Sequence, residues 1–173
     1  MPRVPAARSL AQQAFALHAS FPHALADLSP KRLIWRGTIT PTPLSRCYST
    51  RITHRMGRFP DVRVLGPALE GRPGESIPHL FSNGTLCLHL ENEWSSDMLV
   101  VHTTVPWTSE WLLNYEIWLA TGTWYGGGEW PPRRQANSTP LPNIARSRRR
   151  RANRRKDRTF MGSALHRRWS ASA

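Results

Sequence analysis

The sequence predicts one α+β domain followed by a basic tail. At 173 residues, the chain is long enough for one domain with a core and too short for two ordinary ones. Alternating segments in the first half are typical of antiparallel strands, and a later tryptophan-rich stretch has helical spacing. Charge is distributed unevenly along the chain: residues 1–132 hold 11 basic and 10 acidic residues, whereas residues 133–173 hold 13 basic and one acidic.

The first element is expected to be a helix, because Leu10, Ala14 and Leu17 recur at helical spacing. An organelle-import presequence is the alternative for residues 1–20, which contain arginine and no acid. Residues 21–30, with two prolines, are interpreted as a connector.

Three strands in an antiparallel meander are predicted over residues 32–40, 45–53 and 59–65. The first segment is rich in strand-forming residues, and the other two alternate in the type of side chain from one position to the next. Cys47 falls in the second strand, in phase with Ser49. The Gly- and Pro-rich residues 66–78 predict a loop that leaves the sheet.

A second helix is predicted over residues 105–120 and ends at Gly122. One face of this helix is aromatic and is expected to pack in the core with Trp35; it consists of Trp107, Trp111, Tyr115 and Trp118. Glu110 and Glu116 are expected to form its solvated face. Beyond it, Trp124, Tyr125 and Trp130 accompany three glycines, which indicates a segment that covers the site or grips a partner, or else a plain turn. Residues 133–173, low in apolar residues and high in like charge, are predicted to be disordered.

The chain is expected to be cytoplasmic and not to span a membrane. It has two cysteines, no sequence typical of a signal peptide, and apolar runs of only a few residues. Cys87 has four interpretations. It is a small residue packed in the core, a zinc ligand with some of His79, His89 and His102, the disulfide partner of Cys47, or a nucleophile on a surface segment.

The residues around Cys87 carry a resemblance to a known family. Pro78, His79, Asn83-Gly84, Leu86-Cys87-Leu88 and Trp94-Ser95 follow a strand meander and precede a helix, and this region resembles the active site of ubiquitin-conjugating enzymes. The resemblance extends over residues 32–122. It departs from the family in His79, where the family has its oxyanion-stabilising Asn, in His89, where an Asp is usual, and in Trp94, which is one residue closer to the cysteine. These departures resemble the divergent bacterial branch, and most closely the standalone conjugating-enzyme-like proteins of type II CBASS anti-phage operons.

The resemblance implies a UBC-like fold over residues 1–132 and a transthioesterification reaction without a cofactor. Cys87 would carry the C-terminus of a ubiquitin-like protein, or of a CD-NTase (a cGAS-like synthase), and pass it to an amine. His79 would donate a hydrogen bond to the oxyanion or stabilise the thiolate. An activating enzyme must be encoded elsewhere, because no nucleotide-binding loop is present.

Two alternatives come from other functional classes. The first is a protein-docking module that uses the same fold without catalysis. The second is a nucleic-acid-binding protein, because residues 146–158 of the tail would neutralise many phosphates.

Overall fold

The computed structural model describes residues 6–90 and 92–127, and they confirm the α+β prediction. Helix α1 spans Leu10–Ser20. Four strands follow, β1 Leu25–Ser29, β2 Arg32–Ile39, β3 Tyr48–His54 and β4 Asp61–Gly66. A short 3-10 helix, Val100–His102, then leads into helix α2, Thr104–Thr121. No helix in these residues is long and apolar enough to cross a membrane. The predicted tail, residues 133–173, lies outside the described residues, and the domain boundary at residue 132 stays a prediction.

The first helix is held at both its start and its buried face. Ser9 caps it: the Ser9 side chain accepts a hydrogen bond from the Gln12 N–H, and the Gln12 side chain accepts one from the Ser9 N–H. The fully buried Gln13 then links α1 to the approach of α2, because its amide donates to the Met98 carbonyl (2.8 Å) and accepts from the Val100 N–H (2.8 Å).

The strands form one antiparallel sheet in the order β1-β2-β3-β4, as a meander requires. Strand β3 alternates in burial: Tyr48, Thr50, Ile52 and His54 are buried, and the residues between them are not. The buried face packs against both helices and forms the core, which includes Leu17, Leu33, Trp35, Ile52, Leu112, Tyr115 and Trp118.

Three sequence-based predictions are wrong in this part. Residues 25–29, interpreted as connector, form edge strand β1, which pairs with all of Arg32 to Arg36. Cys47 lies just before β3 rather than in it, and is exposed. Glu116 is not on a solvated face: it is half-buried and accepts hydrogen bonds from the Tyr48 hydroxyl (3.0 Å) and the Arg46 N–H (2.9 Å).

Candidate functional site

Residues 79–87, which carry the resemblance around Cys87, fold into a small hairpin beside β4. The Leu86 N–H donates to the Val62 carbonyl of β4 (3.0 Å), which attaches the hairpin to the sheet. Leu80 and Leu86 form an antiparallel bridge. The tip is closed by hydrogen bonds from the Phe81 N–H to the Thr85 carbonyl (2.9 Å) and from the Gly84 N–H to the Phe81 carbonyl (2.8 Å). Gly84 has a φ of 78°, a left-handed conformation that explains why glycine follows asparagine at this turn.

His79 and Cys87 lie opposite each other at the base of this hairpin. The Cys87 N–H donates to the His79 carbonyl (2.9 Å), and the Trp111 indole N–H of α2 donates to the same oxygen (3.0 Å). These bonds hold His79 at a φ of 50°, a left-handed conformation that costs a non-glycine residue about 1 kcal/mol, though histidine tolerates it better than most. Two elements therefore fix the backbone of His79 next to the cysteine.

Both side chains face a cleft of about 260 Å³. Its lining comes from the hairpin, from α2 and from the segment after α2, and it includes His79, Cys87, Leu88, His89, Leu90, Glu93, Trp107, Glu110, Trp111, Asn114, Trp124, Gly126 and Gly127. The structure thus brings the two predicted catalytic residues into one cavity, with Cys87 half-buried and His79 buried.

Burial shifts the pKa of both groups away from their charged forms. Desolvation raises the pKa of the Cys87 thiol above its ordinary value and lowers the pKa of the His79 imidazole below its ordinary value. At neutral pH the free protein therefore holds a thiol and a neutral imidazole. A neutral ring keeps an N–H that can donate to an oxyanion, whereas the cationic, thiolate-stabilising form is disfavoured.

The segment after α2 forms one wall of the cleft. The Trp124 ring stacks on His79, with ring centroids 5.0 Å apart, and meets Trp111 edge-on at 5.7 Å. A Cβ at Gly126 would lie 2.7 Å from the Trp124 indole nitrogen, so only glycine fits there. Of the two interpretations of this segment, the structure favours covering the site for Trp124. Tyr125 is largely exposed, and Trp130 lies outside the described residues.

His89 forms the other side of the cleft within a row of aromatic rings. It lies between Phe59, 3.6 Å away between centroids, and Trp107, 5.6 Å away. Its Nδ1 is hydrogen-bonded to the Leu90 carbonyl, which can only accept, so in the neutral ring Nδ1 carries the proton and Nε2 is the acceptor. Trp107, expected to pack in the core, is half-buried and lines the cleft, as does the exposed Glu110.

The supporting motif residues lie outside the cleft. Pro78 is buried directly before His79, and Asn83 caps the hairpin turn by accepting hydrogen bonds from the Thr85 N–H (2.9 Å) and hydroxyl (2.6 Å). Trp94 packs edge-on against His54 and Phe59. These residues shape the cleft through their neighbours, and do not themselves line it.

The other interpretations of Cys87 receive no support from the described residues. Cys47 and Cys87 are both free thiols, and His102 is not among the residues that line the cleft. In residues 6–90 and 92–127, no group of three or more His, Cys, Asp and Glu side chains is arranged to hold a metal ion.

Comparison with protein families matches residues 13–132 to the family described as Type II CBASS E2 protein. This range holds the whole hairpin, both walls of the cleft and most of α1. A comparison with curated proteins finds no match.

Proposed function

Because the chain belongs to the type II CBASS E2 family, we propose that Cys87 is its thioester-forming nucleophile. Membership indicates a role in CBASS anti-phage defence and an E2-like function. The observation that supports Cys87 most strongly is the 2.9 Å hydrogen bond from its N–H to the His79 carbonyl, because it holds the nucleophile beside a candidate oxyanion donor at one open cleft.

The proposed reaction has two acyl-transfer steps. The Cys87 sulfur attacks the C-terminal carbonyl carbon of a protein held as a thioester on an activating enzyme. A C–S bond to Cys87 forms, and the bond to the activating enzyme's cysteine breaks. In the second step an amine attacks the same carbon, so that a C–N bond forms, the C–S bond breaks, and Cys87 returns to a thiol.

His79 is proposed to stabilise the oxyanion of both tetrahedral intermediates through its ring N–H. Its lowered pKa keeps the ring neutral, and the two hydrogen bonds to its carbonyl preset its backbone before the substrate arrives. Donors that are already oriented in a water-poor site stabilise developing charge most effectively. The stacked Trp124 supports this role by excluding water from one face of the ring.

The opposite wall is proposed to receive the acceptor amine. Glu93 and Glu110 add negative charge that attracts an ammonium group, and Glu110 is exposed. His89 is proposed to take a proton from the attacking amine at Nε2, since its Nδ1 already donates to Leu90. Charge attraction and proton removal would thus come from the same wall, facing Cys87.

The carried protein is proposed to be a ubiquitin-like protein or the C-terminal tail of a CD-NTase, with an activating enzyme encoded separately. The reaction would take place in the cytoplasm, where thiols stay reduced.

Co-expression with the neighbouring genes tests the proposal. Wild-type protein should acquire an adduct on a non-reducing gel that dithiothreitol removes, and intact mass should identify the carried protein. Cys87→Ser should acquire the same mass as an oxygen ester that resists dithiothreitol. If neither protein gains an adduct with all neighbours present, the proposed carrier function is wrong.

A further inference from the structure

A second concave site lies on the outer face of the sheet. Its volume is about 210 Å³, and its lining consists of Arg51, Thr53, Arg55, Asp61, Arg63, Asn83 and Thr85. None of these residues lines the Cys87 cleft. The lining combines side chains of β3 and β4 with the hairpin turn.

Three arginines stand in a row across this face. Arg36 on β2 is the register partner of Arg51 on β3, and Arg51 is the partner of Arg63 on β4. Neighbouring strands are about 4.8 Å apart, and like charges that face each other directly destabilise a sheet. Within residues 6–90 and 92–127, the ion pairs include none of these three arginines. The row therefore carries a repulsion that a bound anion would relieve.

The pocket also offers unused hydrogen-bond donors. The Nε of Arg51 is buried and has no hydrogen-bond partner in the described part of the chain. The Asn83 carbonyl oxygen is engaged by Thr85, which leaves the Asn83 amide NH₂ to donate outward. The Arg63 guanidinium lies against the hairpin turn, since a Cβ at Gly84 would be in van der Waals contact with its Nη1 at 3.4 Å. The turn and the strands thus present donors to the same space.

We propose that this pocket binds a phosphate group. The charged side chains that line the pocket give a net charge of +2, which matches a phosphate dianion better than a single carboxylate. They are Arg51, Arg55, Arg63 and Asp61; Arg36 belongs to the row but does not line the pocket. Arg55 is already paired with Asp61 at 3.7 Å, so Arg51 and Arg63 are the principal ligands. One guanidinium group can donate two parallel hydrogen bonds to two oxygens of a phosphate, a geometry that the lysine ammonium group does not offer.

An NMR titration of the full-length protein with inorganic phosphate tests this proposal, with sodium chloride replaced at constant ionic strength. The backbone amides of Asn83, Gly84 and Thr85 should shift and saturate. Arg63→Gln should weaken this binding about tenfold through the loss of charge-assisted hydrogen bonds. Arg32→Gln is the matched control: it removes an exposed arginine from the same sheet but outside the pocket, and should leave the binding unchanged. The 13 basic residues of the tail are the same in every variant.

Two further titrations identify the source of the phosphate. O-phosphoserine and a nucleoside 5′-monophosphate should each compete for the same amides, and tighter binding of one identifies its class of monoester. A thermal melt gives a separate readout, since Arg51→Gln should raise the Tm without phosphate by removing the central charge of the row. Equal shifts with chloride and phosphate, or unchanged binding by Arg63→Gln, would overturn the proposal. Because no step uses Cys87, such a failure would leave the proposed acyl transfer untouched.

Discussion

Cys47 and Cys87 lie in two connections that leave the same sheet, but the surroundings of the two sulfur atoms differ. Cys47 is exposed just before β3, where its sulfur is 3.2 Å from the Thr40 hydroxyl. Cys87 is half-buried at a cleft, with a histidine opposite it and tryptophans on two sides. Exposure therefore does not mark the proposed nucleophile of this protein, since Cys47 is the more exposed of the two. What distinguishes Cys87 is a set of fixed neighbours that can act on an acyl group.

The largest expected difference between the two cysteines is in charging. Cys87→Ala should abolish the thiol-sensitive adduct, whereas Cys47→Ala should keep the wild-type level within about twofold, because Cys47 is exposed and does not line the cleft that contains His79. Non-reducing gels after co-expression measure both. Loss of the adduct in Cys47→Ala would show that Cys47 is also required for charging, and would contradict the proposal that Cys87 alone carries the adduct.

His79 is the neighbour with the next largest expected effect. His79→Ala should slow transfer by about 10²–10³-fold, because it removes one oxyanion donor. His79→Asn should lose less, since Asn also tolerates the left-handed backbone and has an N–H donor. Single-turnover rates measure this, with His23→Ala as the control at an exposed histidine. Equal rates for His79→Ala and wild type would make His79 a packing residue.

His89 should affect only the second step. His89→Ala is expected to slow discharge to an amine about 10²-fold, because Nε2 no longer accepts the proton, while charging stays near wild type. Pre-charged protein mixed with free lysine separates the two steps. If charging slows as much as discharge, His89 shapes the cleft instead of acting on the amine.

The pH dependence of alkylation compares the two thiols directly. Because burial raises the pKa of Cys87 above 9.0, its thiolate fraction is small at neutral pH and its rate with iodoacetamide should rise about tenfold per pH unit up to pH 9. Exposed Cys47 should be modified first at pH 7. Peptide mass spectrometry at several pH values follows both. A Cys87 rate that is already constant at pH 7 would mean an activated thiolate in the free protein.

Trp124 is expected to give the smallest effect. Trp124→Ala opens one wall of the cleft, so the Cys87 thiol is better solvated and its pKa falls toward its usual value. Alkylation of Cys87 at pH 7 should rise roughly threefold, with no change at Cys47. Tyr125→Ala is the matched control, since it removes an exposed aromatic ring from the next position. Equal rates in both variants would assign Trp124 a role in stability alone.

The sequence predicted the regular elements well, because their residues repeat with the period of the structure. Both helices and strands β2 to β4 follow such patterns. Strand β1 was not predicted, because its residues are mostly exposed, do not alternate in burial and lie between two prolines. It is defined only by its pairing with β2. An edge strand of this kind is stabilised by pairing with the neighbouring strand, and this pairing does not require a periodic pattern in the edge strand's own residues.

The candidate site was predictable only in its hairpin. The resemblance to ubiquitin-conjugating enzymes, carried by Pro78, His79, Asn83-Gly84 and Cys87, identified the residues that the backbone brings together. For Trp124 the sequence left covering the site and a plain turn both open, because stacking on His79 depends on how the chain turns back after Gly122. The pKa directions also depend on burial that no local pattern contains.

The role proposed for Cys87 is tested most directly by locating the adduct on the wild-type chain. After co-expression, the charged protein is digested under acidic, thiol-free conditions and its peptides are sequenced by mass spectrometry. If Cys87 is the nucleophile, a remnant of the carried C-terminus should be found on the peptide that contains Cys87, with the Cys47 peptide unmodified. A remnant on Cys47, or on a lysine with Cys87 never modified at any time point, would contradict that role.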